Sequence, residues 1–189
     1  ASCDLGGQPD SIAAAPDGSF LTVAIENERD EDLDDGKLPQ MPAGDLVIVP
    51  IADGVVDCGA IKHVDVTGLA EIAPEDPEPE FVDVNSKGEI ALTLQENNHI
   101  VIVDGKSGEV ISHFSAGTVD LDGIDIEKDG KLDFTGSLKG VKREPDTVKW
   151  VDDNRIVIAN EGDYEGGARG FTICTKDGKV AYESGPSFE

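Results

Sequence analysis

A short phrase in which proline stands between Gln or Glu and an acid occurs three times and constrains the fold more than any other feature. The copies are Gln8-Pro9-Asp10, Glu78-Pro79-Glu80 and Glu144-Pro145-Asp146. An acid–amide pair follows each copy at the same distance to within one residue, namely Glu26-Asn27, Glu96-Asn97 and Asn160-Glu161. A repeat of this kind indicates that one supersecondary unit is used several times.

Four apolar runs separated by turns follow each copy of the phrase. The first two runs and the turn between them have the pattern of a β-hairpin. These runs are 12–15 and 20–25 in the first copy, 81–84 and 90–94 in the second, and 148–151 and 156–159 in the third. The third and fourth runs are 46–51 and 55–64, then 99–103 and 110–114, then 170–174 and 180–182. The sequence therefore predicts three four-stranded antiparallel sheets.

Three such sheets in series predict an all-β fold, a β-propeller portion of about three blades. The blades cover approximately residues 8–64, 78–115 and 144–184 of a single segment, 1–189. Propellers close with about four to eight blades, so we expect an incomplete ring that a C-terminal part or a second chain completes. The sequence stops just after the last predicted strand, which fits this expectation. Packing of the three sheets as a small β-sandwich is the alternative.

Long connections separate the predicted strands. The repeat period of roughly 70 residues exceeds the about 40 to 50 residues of compact blades. The excess falls in segments 27–44, 65–77 and 115–143, which we interpret as loops, and such long loops are usually functional or disordered. Residues 69–72 are the best candidate for a short helix.

The charge of the chain excludes several classes of partner. Fifteen basic residues stand against forty acidic ones, a net charge of −25, which argues against nucleic acid or an anionic membrane surface as a partner. No apolar run is long enough to cross a bilayer. Acids concentrate in segment 26–35, where Arg29 is the single basic residue. Such a run indicates either cation binding or an ordinary solvated surface.

The repeat places the acids in a particular way. In a propeller the first strand of each blade lines the central channel and the second returns beside it, so both ends of each hairpin face the same side. We therefore predict a ring of carboxylates from Asp10, Glu26, Glu80, Glu96, Asp146 and Glu161. Asn27, Asn97 and Asn160 add amide oxygens, and Asp163 completes the candidate ligand set. The alternative is that these acids only cap turns.

Calcium fits this ligand set, because it takes six to eight oxygens in a flexible geometry. Zinc fits poorly, since the chain has three His, three widely spaced Cys and no Cys-x-x-Cys pair. Segment 125–133 matches the first part of an EF-hand loop, but Gly136 stands where the bidentate Glu is required. An Asp-Gly turn between two strands explains that segment equally well.

The positions of the cysteines indicate that the protein is located outside the cytoplasm. Cys3 precedes the first blade and Cys58 lies in its fourth predicted strand, so a disulfide would tie the N-terminus to that blade. Cys174 is then left as a buried thiol or as the partner of a residue beyond this sequence. The chain begins at Ala1 without a signal peptide, as a processed secreted protein would.

Several phrases resemble one group of secreted bacterial propellers. Segments 3–10, 78–80, 94–98, 143–146 and 159–163 are similar to phytase-like or esterase-like β-propellers, and to the related choice-of-anchor I and mesenchyme-specific cell-surface glycoprotein propellers. The similarity covers almost the whole chain, and members of the group are longer. It implies a secreted, periplasmic or cell-surface protein that binds calcium.

The resemblance also implies two functions. In the first, calcium binds a phosphate-ester small molecule and orients a water for hydrolysis. Arg143 and Arg169, the basic residues nearest the third acidic pair, would then contact the phosphate, although ordinary ion pairing is the alternative. In the second, the protein is a calcium-stabilised surface or matrix protein without enzymatic activity. The chain carries no Gly-x-Ser-x-Gly elbow, and no nucleophile stands out in the sequence.

Overall fold

The computed structural model describes residues 2–30, 32–33, 37–127, 129–162 and 167–188. It is an all-β structure in which three antiparallel sheets follow one another along the chain as blades of an incomplete β-propeller. The first blade contains β1 (Gln8–Ala14), β2 (Phe20–Glu26), β3 (Asp45–Ala52), β4 (Val55–Val56) and β5 (Lys62–Val64). The second contains β6 (Pro79–Val84), β7 (Glu89–Leu94), β8 (His99–Asp104) and β9 (Val110–Ser115). The third contains β12 (Pro145–Asp152), β13 (Arg155–Asn160), β14 (Gly170–Thr175) and β15 (Val180–Glu183).

Short polar turns connect the first two strands of each blade, as the sequence indicates. In the first blade, the Asp17 carboxylate accepts a hydrogen bond from the backbone N–H of Ser19 at 3.0 Å, and Gly18 supplies the positive φ of the turn. In the third, Asp152 accepts from the N–H groups of Asn154 and Arg155, both at 2.9 Å. Side chains that replace backbone partners in this way set the register of each hairpin.

The predicted fourth strand of the first blade is divided into two. β4 and β5 both pair with β3, and a short 3-10 helix, Cys58–Ala60, separates them. The Asp57 side chain caps this helix by accepting from the N–H of Gly59. Cys58 forms the predicted disulfide with Cys3, so the interruption lies where the N-terminal segment is attached.

Two apolar cores hold the blades together. The larger core lies between the first and second blades and includes Leu46, Ile48, Ile90 and Leu92, all fully buried. The second core lies between the second and third blades around Ile100, Ile102, Val148, Ile156 and Ile158. The second blade therefore presents alternate residues of its strands to its two neighbours.

The outer flank of the first blade is covered by the N-terminal segment. Val23, Ile25, Val47 and Val49 are buried there, with Cys3 and Leu5 packed against them. Because the disulfide fixes this segment, the flank has a hydrophobic cover supplied by the chain itself. Cys174, by contrast, is a free and buried thiol in β14, as one of the two alternatives for it predicts.

Two expectations for the connections are wrong. Residues 69–72 form bends, not a helix. Ala73 has a positive φ and Pro74 follows it, and the carbonyl groups of Ile72 and Ala73 accept hydrogen bonds from the Asn97 side chain. These features leave no continuous helical backbone.

Segment 115–143, predicted to be a loop, contains the hairpin β10 (Thr118–Ile124) and β11 (Gly136–Lys142). Its register shifts twice, between Val119 and Leu121 and between Asp122 and Ile124, and these irregularities obscure the alternation that reveals other strands. The EF-hand-like segment lies in the loop of this hairpin. There Asp125 and Asp129 accept hydrogen bonds from backbone N–H groups two residues ahead.

Candidate metal centre

The inner strands of the three blades lie side by side, and this arrangement brings their acidic ends together. β6 packs against β1 on one side and against β12 on the other. The backbone N–H of Val82 donates to Ser11 Oγ at 3.2 Å, and Thr93 Oγ1 donates to the carbonyl oxygen of Asp146 at 2.9 Å. Since both contacts join neighbouring blades near the Pro-acid phrases, they fix those phrases relative to one another.

The carboxylates around these strand ends interact electrostatically across all three blades. Burial, together with repulsion from its acidic neighbours, raises the pKa of Glu80 to about 8. Those neighbours are Asp10, Glu26, Asp146 and Glu161. Burial and the charges of Asp10, Glu28 and Glu96 likewise raise the pKa of Glu26 to about 7. The six carboxylates of the predicted ring thus belong to one electrostatic group with Glu80 near its centre.

A cavity of about 510 Å³ opens at this place. We call it the acidic mouth, and its lining residues are Gln8, Asp10, Glu26, Glu28, Arg29, Glu78, Glu80, Gln95 and Glu96. Gln95 also donates a hydrogen bond to Glu161 of the third blade. The lining is mainly polar, with one basic side chain among six carboxylates, so it is suited to a cation.

Arg29 lines the mouth, and the sequence interpretation did not include it in the site. Its side chain is only 4% exposed and forms ion pairs with Asp76, Glu78 and Glu96. Its Nη2 also donates to the carbonyl oxygen of Asp76 at 2.8 Å. The signal for it was present, because a single arginine in a strongly acidic segment has many potential partners.

Glu78 was also missed as a member of the site. It is 2% exposed, and burial raises its pKa, as does the charge of Glu96, while Arg29 opposes the rise. Its backbone N–H donates to the Asn97 side-chain oxygen at 2.9 Å. The sequence interpretation did not distinguish the two acids of the Glu78-Pro79-Glu80 phrase, whereas the structure buries Glu78 beside Arg29 and leaves Glu80 half-buried.

The predicted amide ligands hold the backbone of the site. Asn97 is buried, with its oxygen on Glu78 and its nitrogen 3.1 Å from the carbonyl oxygen of Asp76. Asn27 donates to the carbonyl oxygen of Gln40 at 2.7 Å, and Asn160 exchanges hydrogen bonds with Thr172. These contacts give the three amides positioning roles, and their service as metal ligands stays a prediction. Asp163 lies outside the described residues.

Asn98, which follows Asn97, holds the third blade. Its side-chain oxygen accepts from the N–H of Glu144 at 3.0 Å, and its nitrogen donates to the carbonyl oxygen of Gly117 at 3.1 Å. Two successive asparagines therefore fix the residues before Pro79 and Pro145, one in the same blade and one in the next.

The two arginines predicted to contact phosphate occupy different surroundings. Arg143 is buried, its Nε and Nη2 contact the Glu183 carboxylate at 2.9 and 2.8 Å, and its Nη1 donates to the carbonyl oxygen of Ala116 at 2.6 Å. These contacts correspond to the ion-pairing alternative, and contact of Arg143 with phosphate stays a prediction. Arg169 is exposed, and its contact with phosphate stays a prediction.

The donor chemistry of the mouth fits calcium better than a softer metal. Carboxylate oxygens dominate, and hard cations prefer such ligands. Within the described part of the chain, no three acidic, imidazole or thiolate side chains are already gathered as a metal-holding group. A cation would therefore have to draw the carboxylates of the mouth together, which their mutual repulsion opposes until the ion arrives.

The fold and the mouth define a class, an acidic segment of a β-propeller. A family model, the Choice-of-anchor I domain, matches residues 1–166, and the chain belongs to that family. The choice-of-anchor part of the expected resemblance is thus confirmed, and its phytase-like and esterase-like part stays a prediction. No curated protein matches the chain.

Several solved structures resemble the chain at low identity. A structure titled as the Dos1 propeller has a TM-score of 0.44 and 10% identity, and the match covers 93% of this chain and 50% of that one. A protein of unknown function from Bacteroides caccae has a TM-score of 0.37 and 14% identity, covering 96% and 68%. Kluyveromyces lactis Hsv2 has a TM-score of 0.31 and 10% identity, covering 88% and 60%. The chain spans half the length of the Dos1 propeller.

Family membership and the disulfide together indicate a secreted or cell-surface protein of the surface or anchor type. Among the described residues, no helix has the length and apolar character needed to cross a membrane.

Proposed function

We propose that the chain is part of a secreted, periplasmic or cell-surface propeller that binds calcium at the acidic mouth and uses the ion to hold its blades together. The supporting observation is the position of Glu80, whose charged neighbours come from all three blades. An ion bound beside Glu80 would attract carboxylates of β1, β2, β12 and the segment after β13. Calcium would thus act as a bridge between blades that otherwise repel one another at this edge.

The energetics favour such a role. Two unit charges about 4 Å apart interact by about 1 kcal/mol in water and by more where water is partly excluded. Several such repulsions meet at Glu80, so neutralising them would stabilise the folded state considerably. A ligand that binds only the folded state adds about 2.7 kcal/mol when its concentration is 100 times its Kd.

Calcium titration of the purified protein tests this proposal. We expect calcium to raise the melting temperature progressively and to give a saturable binding isotherm in calorimetry. In Glu80→Gln, the calcium concentration needed for half of either response should rise by tenfold or more. Glu109→Gln is the matched control, since it removes one exposed acid from the turn between β8 and β9. Equal responses of native protein, variant and control would contradict binding at the mouth.

A calcium-dependent phosphoesterase is the second candidate, and the size of the mouth favours it. At about 510 Å³, the cavity has room beside a cation for a small anionic group. When bound, calcium would neutralise a phosphate and lower the barrier to attack by water. Among the residues of the chain, unprotonated Glu26 or Glu80 would accept a proton from that water, and Arg169 would contact the phosphate.

Hydrolysis assays separate the two functions. A phosphoesterase would release phosphate from p-nitrophenyl phosphate or phytate, lose activity on chelation and be strongly impaired by Glu96→Gln. A structural calcium protein would show the thermal response without turnover. Activity that persists in chelator would exclude the calcium-dependent enzyme.

We further infer that another four-stranded sheet, from a C-terminal fragment or a second chain, packs on the outer flank of the third blade. On that flank, Val157 pairs with Ile173. The equivalent pair in the second blade, Ala91 with Ile102, is covered by the third blade. Tyr182, which pairs with Ile173, is 52% exposed. Sedimentation analysis tests the second-chain route: concentration-dependent association that Tyr182→Glu abolishes supports it, and a monomer at all concentrations excludes it.

A further inference from the structure

Arg29 occupies an unusual position for an arginine. Its guanidinium is almost fully buried beside the acidic mouth, where Nε lies 2.9 Å from Glu78 Oε1 and 3.4 Å from Asp76 Oδ2. Nη1 contacts Glu96, and Nη2 donates to the carbonyl oxygen of Asp76. One positive charge thus faces three carboxylates and a carbonyl oxygen, a set of oxygens that a divalent cation would also accept.

The contacts of Arg29 divide the carboxylates into two groups. Asp76, Glu78 and Glu96 form the first, and all three pair directly with the guanidinium. The second group surrounds Glu80, whose carboxylate is repelled by the charges of the four other members. Its members are Asp10, Glu26, Glu80, Asp146 and Glu161.

We propose that Arg29 is a built-in cation that fills one of two cation positions in the mouth. On the proposed function, the native protein then takes calcium only in the group around Glu80. Loss of the arginine's charge opens a second divalent-ion position among Asp76, Glu78 and Glu96.

The buried oxygens around Arg29 support a position for an ion. Asp76 is only 1% exposed, and its Oδ1 atom is fully buried without a hydrogen-bond partner. A buried carboxylate oxygen without a partner is costly, and a guanidinium cannot satisfy it because the donors are directed at the other oxygens. A spherical ion has no such directional restriction and would contact both oxygens of a carboxylate.

The permanent charge of Arg29 also attaches two connections of the fold to each other. Asp76 accepts from the N–H of Gln40 at 3.0 Å, and Gln40 accepts from the N–H of Asp30 at 2.9 Å. The guanidinium therefore fastens the segment after β2 to the loop before β6, whether or not calcium is present. With an ion in place of Arg29, this attachment would depend on calcium concentration.

Calcium stoichiometry tests the proposal. Native protein, Arg29→Met and Arg29→Lys are compared by equilibrium dialysis and by melting in chelator and in millimolar calcium. We expect Arg29→Met to bind one more calcium ion per chain than the native protein and to melt lower in chelator, with most of the loss recovered in calcium. Arg29→Lys keeps the charge and should keep the native stoichiometry. Arg155→Met, which breaks an exposed pair with Asp152, is the matched control and should change neither.

The outcomes are distinguishable from those of the proposed function. If the native protein binds no calcium but Arg29→Met binds one ion, the proposed function fails and the inference stands. If native protein and Arg29→Met bind the same number of ions, the inference is overturned while the proposed function is unaffected. An Arg29→Met protein that stays unfolded in calcium also overturns it, because calcium then cannot replace the guanidinium.

Discussion

Replacing Glu80 with Gln should stabilise the metal-free protein at alkaline pH. The folded state raises the pKa of Glu80 from 4.5 to about 8, so the folded protein holds this proton more tightly than the unfolded chain does. Stability from this group is therefore complete below about pH 4.5 and is lost as the pH rises through about 8. A shift of this size corresponds to roughly 5 kcal/mol at about 1.4 kcal/mol per unit, which we reduce to about 1–2 kcal/mol because the half-buried side chain is screened by solvent.

Thermal melts in metal-free buffer measure the effect. At pH 8.5 we expect Glu80→Gln to melt about 5 °C above the native protein, since 1 kcal/mol corresponds to about 2–4 °C for a chain of this size. At pH 5 the two should melt within about 1 °C, because Glu80 is protonated in the folded state. Glu109→Gln controls for the loss of one negative charge and should not reproduce the gain. A lower melting temperature for Glu80→Gln at pH 8.5 would refute the view that Glu80 is repelled by its neighbours.

Three further predictions concern the scaffold of the site. Asn98→Ala leaves the buried N–H of Glu144 and the part-buried carbonyl group of Gly117 without these hydrogen bonds. It should destabilise the protein by about 2–4 kcal/mol, measured by urea unfolding against Asn154→Ala in an exposed turn. Cys3→Ser removes the bridge to Cys58, whose 55-residue separation predicts a loss of about 4 kcal/mol; a melting temperature equal to that of the native protein would argue against this role. The Cys174 thiol, whose pKa burial raises to about 11, should resist a thiol reagent at pH 8 until the protein unfolds, and rapid labelling of folded protein would contradict its burial.

The sequence predicts the blades well because their strands obey simple rules. Alternating apolar residues, Asp and Gly turns and regular spacing all agree in the hairpins that follow Pro9, Pro79 and Pro145. The prediction fails where these rules are broken locally. In β10 and β11 two register shifts interrupt the alternation. Near 69–72, the side chain of Asn97, which is distant in sequence, donates hydrogen bonds to the backbone carbonyl groups of Ile72 and Ala73.

The site is predicted only in part, because sequence position does not determine burial. Convergence of the acids follows from the repeat and from the order of strands in a propeller blade. The pairing of Arg29 with Asp76, Glu78 and Glu96 does not, since it joins two long connections to the end of β7. Such contacts depend on loop paths, for which the sequence offers no periodic signal.

The three copies of the Pro-acid phrase also differ in a way that bears on function. The residue before proline is exposed Gln8 in the first blade, but it is buried Glu78 and Glu144 in the others. Asn97 and Asn98 hold the N–H groups of those two glutamates. Because this residue is fixed by its backbone, the acid after proline has little freedom: Glu80 lines the mouth, and Asp146 lies near enough to repel the charge of Glu80. The phrase therefore combines a backbone anchor with a carboxylate in the acidic group around Glu80, which on the proposed function supplies ligands for the calcium ion.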